Sequence, residues 1–179
     1  MILLLAAISP VSARADLITN GGFETGDLTG WNCSGADDCD AYSSNPHSGD
    51  YALEVFDNDG YATLSQTIST TIGTTYDYFF FSRVYSHLEG NQLGYSFSGY
   101  ANAVFVPASL NYSQTFGSFL ATSSSTPVEF YFSTDPGSSY WLLDDVSVTP
   151  RTASVPEPGT LLLLGFGLCG LAGLARKMR

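Results

Sequence analysis

The chain has 179 residues, a formal net charge of −11, 13% charged residues and 14% aromatic ones. Arg14, Arg151, Arg176, Lys177 and Arg179 lie towards the ends and only Arg83 lies in the body, so the phosphate-neutralising patch of a nucleic-acid binder is missing and that class is excluded. Few charges with abundant Gly, Ser, Thr, Tyr and Phe suit short strands and tight turns, and one all-β domain is expected between two targeting segments.

Residues 1–15 join an apolar run, Ile2 to Ile8, to Ser9-Pro10 and the small-residue pattern Ala13-Arg14-Ala15. This reads as a secretory signal peptide cleaved before Asp16. Its n-region lacks Lys and Arg, which points to a start upstream of Met1. The body, 16–149, opens with a short apolar strand from Leu17, broken by a glycine-rich bend and closing on Trp31. Cys33 and Cys39 follow in a polar loop with exported context on both sides. A disulfide is expected there in preference to reduced thiols or a metal pair, because no further Cys or His pair completes a zinc set. Asp37, Asp38 and Asp40 are read as solvated residues of that loop.

Period-two alternation over Tyr51 to Phe56 and Tyr61 to Ile68 predicts strands. Further β-rich runs are Tyr76 to Tyr85, Leu93 to Phe97, Ala103 to Val106, Tyr112 to Leu120, Val128 to Phe132 and Tyr140 to Val148. With turn residues between them and no helical stripe, they predict an antiparallel two-sheet jelly-roll sandwich. The consecutive rings of Phe79, Phe80 and Phe81 must occupy both faces, so at least one is exposed.

Asp144 and Asp145 are adjacent on a predicted strand and point to opposite faces, so they cannot form a hydrolytic pair with each other. No nucleophile elbow or zinc-type His motif is present, His47 and His87 read as surface loop residues, and the chain is expected to be non-enzymatic. By parity Asp144 shares a face with Val146 and Val148, which places a carboxylate near the core edge in need of compensation; the alternatives are a hard cation, or hydrogen bonds to backbone amides. Tyr78, Tyr85 and Tyr95 are candidate platforms for stacking a sugar ring.

Residues Asn20 to Trp31, with Asn-Gly-Gly-Phe-Glu at their head, resemble the opening of the carbohydrate-binding-module-like, galactose-binding-like jelly rolls. His47 to Leu53, Leu64 to Ile68 followed by Gly73 to Tyr78, and Trp141 to Val148 extend the resemblance over nearly the whole body. It implies a structural calcium joining the first bend to the last strand, at Glu24, the Ser48-Gly49 carbonyl region and Asp144.

Residues 150–158 carry three prolines and predict an extended linker. Residues 159–179 predict a transmembrane helix with a basic tail; the 17 apolar positions cover about 25 Å, slightly short of a bilayer core. Arg176, Lys177 and Arg179 place the C-terminus on the cytoplasmic side. The stretch Val155-Pro156-Glu157-Pro158-Gly159, the apolar run and the basic end resemble the PEP-CTERM sorting signal of Gram-negative bacteria, also known under an ice-binding C-terminal label; the body lacks a regular Thr-x-Thr array that would support ice binding. This resemblance implies an exosortase-type membrane protease as partner, a transient hold in the inner membrane, and release to the cell surface or exopolysaccharide. The expectation is an exported, non-catalytic protein binding extracellular polysaccharide. The alternatives are a structural matrix or adhesion protein without a sugar site and, third, a glycan-acting enzyme.

Overall fold

The structure, a computed structural model, describes residues 14–57, 61–85, 90–97, 103–133 and 140–151. The leader up to residue 13, His87, the Pro-Glu-Pro motif and the apolar tail lie outside the described residues. Among the described residues ten strands form two five-stranded antiparallel sheets. In chain order they are β1 (Asn32–Ser34), β2 (Asp38–Tyr42), β3 (Ala52–Phe56), β4 (Ala62–Ser69), β5 (Thr75–Val84), β6 (Gln92–Ser96), β7 (Val104–Val106), β8 (Ser113–Leu120), β9 (Ser125–Ser133) and β10 (Trp141–Pro150). The first sheet has the order β1-β4-β9-β6-β7 and the second β2-β3-β10-β5-β8. This is the expected all-β sandwich.

Alternation decides what each sheet buries. In β4, Ala62, Leu64, Gln66 and Ile68 are buried while Thr67 and Ser69 are exposed. Phe130 and Phe132 from β9, Leu93 and Tyr95 from β6, and Leu53, Val55, Phe80, Val84, Trp141 and Leu143 from the second sheet meet between the layers. Removing a large apolar side chain of this kind from water stabilises the fold by roughly 2–3 kcal/mol. Phe80 is buried and Phe79 is exposed, as three rings in succession on one strand require.

The eight strands expected from Tyr51 onward form, shifted by a few residues at their ends, whereas the short strand expected from Leu17 does not: that segment has an isolated backbone bond, from the Leu17 amide to the Val148 carbonyl at 2.9 Å, and no ladder. β10 runs on to Pro150, one residue into the segment predicted as linker, and the Arg151 amide donates to the Thr75 carbonyl at 2.8 Å. Two strands were not expected. Cys33 and Cys39 were placed in one polar loop, but Cys33 lies on β1 of the first sheet and Cys39 on β2 of the second, and their disulfide ties the sheets together. Asp38 and Asp40 accordingly stand on β2 rather than in a loop.

The central strand of the second sheet carries a bulge. β10 pairs with β5 in register through Asp144 opposite Phe81 and resumes at Ser147 opposite Phe79, so one extra residue is accommodated. Asp145 takes a left-handed φ of 50° within it. This corrects the parity reading. Asp144 lies on the outer side of the second sheet with Phe81, while Val146 and Val148 enter the core, because the bulge resets the alternation between them.

Candidate functional site

Asp144 is fully buried although it faces outwards, because the segment before β3 folds over it. Its Oδ2 accepts the backbone amides of His47 at 2.8 Å and Ser48 at 3.1 Å, and its Oδ1 accepts the amide of Asp145 at 2.7 Å. Burial pushes its carboxyl up to about 6, against the pull of these amides. Asp145 beside it accepts the Ser48 hydroxyl at 2.7 Å and pairs with His47 Nδ1 at 2.6 Å. The His47 ring in turn stacks on Phe81 with centroids 3.7 Å apart, so His47 is the surface loop residue expected and is also held in a packed junction.

Glu24 reaches the same place from the N-terminal bend. Its carboxylate accepts the amides of Asp50 and Tyr51 at 3.0–3.2 Å. Gly49 is required between them: its φ is 63°, and a Cβ would lie 2.2 Å from Glu24 Oε1. A Cβ on Gly22 would lie 3.6–3.8 Å from Glu24 Cγ, Asp145 Oδ1 and Asp144 Oδ1. Glu24, Gly49 and Asp144, the residues named for calcium, are therefore brought together. Their donor chemistry is all oxygen, which fits a hard cation in kind, but the Glu24 and Asp144 oxygens are engaged by backbone amides. Among the described residues no group of three His, Cys, Asp or Glu side chains is arranged to hold a metal ion.

The three tyrosines named as sugar platforms do not form one surface. Tyr95 is buried, and its hydroxyl meets that of the half-buried Tyr78 at 2.9 Å across the sandwich. Both also pack on Phe97. These two belong to the core because their strand positions face the opposite sheet, which corrects the stacking role expected of them. Tyr85 is 54% exposed but stands at the end of β5 in the second sheet.

A different surface has the character expected of a sugar site. On the outer side of the first sheet, Ser34, Thr63, Tyr131, Gly94 and Phe105 lie opposite one another in register, one residue from each of the five strands. The next outward row is Asn32, Ser65, Glu129 and Ser96. Phe105 is half exposed, and its ring lies down over Gly94, where a Cβ would come within 3.1 Å of it. The Tyr131 hydroxyl donates to Glu129 Oε2 at 2.7 Å and fixes that carboxylate. Tyr131, Gly94 and Ser96 in the middle of these rows are buried, so the accessible groups are Asn32 and Ser34 at one end, the half-buried Thr63, Ser65 and Glu129, and the ring of Phe105 at the other, while the alternate residues of the same strands fill the core. Sequence reasoning missed Tyr131, Glu129 and Phe105. The available signal was Gly94, a glycine inside a strand, which marks close approach by another group.

The last 26 residues carry separate information. Residues 154–179 match the PEP-CTERM protein-sorting motif. The motif marks a secreted, cell-surface chain processed by exosortase, and it contains the predicted residues Val155, Pro156, Glu157, Pro158 and Gly159. Ahead of the PEP-CTERM segment, the described sandwich is similar in fold to carbohydrate-binding modules. TmCBM61, solved with β-1,4-galactotriose, superposes with a TM-score of 0.64 at 20% identity, covering 76% of this chain and 99% of that one. The CBM22-1 xylan-binding domain of Paenibacillus barcinonensis Xyn10C gives a TM-score of 0.59 at 14% identity, covering 81% and 100%. A family 16 carbohydrate-binding module gives 0.56 at 16% identity, covering 74% and 98%. No curated protein matches the chain in sequence.

Proposed function

We propose that this chain is an exported, non-catalytic protein that binds neutral polysaccharide along the outer face of the β1-β4-β9-β6-β7 sheet. The observation that carries the reading is the transverse row from Ser34 to Phe105, with Glu129 held by Tyr131 beside it. A sugar ring would lay its C–H face on Phe105 and donate hydroxyls to Glu129, with Thr63 and Ser65 available as further partners. The fold shared with modules solved with β-1,4-galactotriose or described as xylan-binding supports a glycan as ligand, and the acidic body argues for a neutral one. A glycan array probed with the released protein tests this. Binding to a neutral β-linked polysaccharide that is lost in Phe105→Ala is the expected result; no binding to any glycan favours a structural matrix or adhesion role instead.

The route to that ligand follows from the tail. The apolar run would hold the chain in the inner membrane of a Gram-negative cell while the two prolines present an extended backbone at Pro156-Glu157-Pro158 to the exosortase-type protease. Release would leave the sandwich at the cell surface, in contact with exopolysaccharide. Deleting Pro156 to Pro158 is expected to leave the protein in the membrane fraction; normal release of that variant would refute the role given to the motif.

A second reading concerns calcium. Glu24, Asp144 and the Gly49 carbonyl would hold the ion, which would supply the positive charge that buried Asp144 otherwise lacks. Binding requires the two carboxylates to give up amide hydrogen bonds. A melting temperature unchanged by chelation would count against it.

A further inference from the structure

The four sheet edges are not equally protected. β1 and β7 are three residues long, and β2 carries Asp38 and Asp40. Brevity and charge are the usual means by which an edge avoids pairing with another chain. β8, the remaining edge of the second sheet, has neither. It runs eight residues as Ser-Gln-Thr-Phe-Gly-Ser-Phe-Leu, with no charge and no proline. It pairs along its whole length with β5 on one side. Among the described residues no strand pairs with its other side. Its outward residues include Phe116, 76% exposed, and Leu120, 59% exposed, so these side chains lie open beside an edge that no strand among the described residues pairs with.

We infer that β8 is an interaction surface for a second copy of this chain, pairing antiparallel with its counterpart to join two five-stranded sheets into one of ten strands. Three observations select a second copy. The edge is self-complementary, since an antiparallel strand related by a twofold axis satisfies the free N–H and C=O groups of both chains at once. Each chain carries a net charge of −11 and repels its copies elsewhere. At this edge the outward neighbours on β5 are Phe79 and Phe81, and the one acid nearby, Asp77, is already paired with Arg151. Outward residues must also stay on one face of a continuous sheet, so the axis passes through a residue and not between two. Register centred on Phe116 keeps most of the strand paired and places the two exposed Phe116 rings opposite each other, an aromatic pair of the kind that stabilises sheets.

The test uses the full chain in detergent with Cys169→Ser to remove the tail thiol. Sedimentation velocity is expected to show a concentration-dependent dimer that is lost in Phe116→Lys, where the register sets two like charges face to face, with the melting temperature unchanged. In parallel, Phe116→Cys is expected to give an oxidised dimer on a non-reducing gel, and Tyr42→Cys on the acidic β2 edge is expected not to. A monomer at all concentrations overturns the inference. So does a dimer that persists in Phe116→Lys, which would lie in the tail, or cross-linking that is equal at Phe116 and Tyr42. Capture of a different protein through β8 without self-association would overturn the choice of partner.

Discussion

Asp144 accepts the backbone amide of His47 at 2.8 Å across 97 positions of sequence, and this bond fixes the segment before β3 to the bulge of the last strand. Its carboxyl titrates at about 6 when folded and near 3.8 otherwise, burial being the main cause. The folded state therefore holds the proton more tightly. The stability gained from protonation is present in full below about pH 4 and is lost as pH rises through about 6. The melting temperature of the wild type is expected to rise, relative to that of Asp144→Asn, as pH falls from 7 to 4.5. Excess calcium should reverse the trend if Glu24 and Asp144 hold the ion, because the ion favours the ionised carboxylate. Thermal melts at matched pH with and without chelator measure both. Asp144→Ala, which takes the acceptor from the part-buried amides of His47, Ser48 and Asp145, is expected to cost about 1–3 kcal/mol.

Tyr78 and Tyr95 offer a direct contrast between packing and binding. Their hydroxyls meet at 2.9 Å between the sheets, so Tyr95→Phe is expected to destabilise the domain by about 1 kcal/mol, the ordinary net contribution of one hydrogen bond. Glycan affinity should be unchanged in that variant. Phe105→Ala should behave oppositely, losing glycan binding with little change in the melting temperature, since its ring is half exposed. A loss of glycan binding in Tyr95→Phe without loss of stability would return these tyrosines to the binding surface.

How far the sequence could be read depended on whether a local pattern or a tertiary contact made the decision. β3 and β4 alternate in period two, and such a pattern selects a half-buried strand without outside help. Asn-Cys-Ser and Asp-Cys-Asp-Ala-Tyr contain few β-formers. They are strands because β4 and β3 supply their partners and the disulfide holds them in place. The convergence of Glu24, Gly49 and Asp144 was legible from the family resemblance. The face of Asp144 was not, because parity counting passes unaware through a bulge. Tyr95 stands between Gly94 and Ser96, in phase with Leu93 and Phe97, whereas Tyr131 stands between Phe130 and Phe132 in an unbroken apolar run whose faces the sequence does not separate. The register, which sets Tyr131 opposite Gly94 and Tyr95 opposite Phe130, puts Tyr131 on the outer face and Tyr95 in the core.

Gly117 explains how Tyr78 fits between the sheets. The two residues are directly paired across β5 and β8, and a Cβ on Gly117 would lie 2.5 Å from the Tyr78 hydroxyl oxygen and 2.7 Å from its Cζ. The ring cannot move aside easily, because Tyr95 and Phe97 hold it from the other sheet. Gly117→Ala is expected to destabilise by about 1–3 kcal/mol, as overpacking does. Removing the hydroxyl in the double variant Gly117→Ala/Tyr78→Phe should restore part of that loss. Chemical denaturation of the four members of this cycle measures the coupling, and strictly additive effects would show that the steric account is wrong.

The Cys33–Cys39 bridge closes a short loop, yet it joins strands of different sheets, with Cα atoms 6.6 Å apart. β1 and β2 are edge strands of three and five residues, too short to hold their places by ladder hydrogen bonds alone. On loop length the bridge contributes about 2 kcal/mol. Cys39→Ser is therefore expected to lower the melting temperature by roughly 5–10 °C. Reductant should lower the wild type by the same amount and leave the variant unaffected. The change should be local: β1 and β2 amides should lose hydrogen-exchange protection while β5 and β10, at the centre of the second sheet, keep theirs. Because Ser34 and Asn32 on β1 form one end of the proposed binding floor, the loosened edge should weaken glycan binding without abolishing it. Unchanged affinity would shorten the binding floor to the strands from β4 to β7.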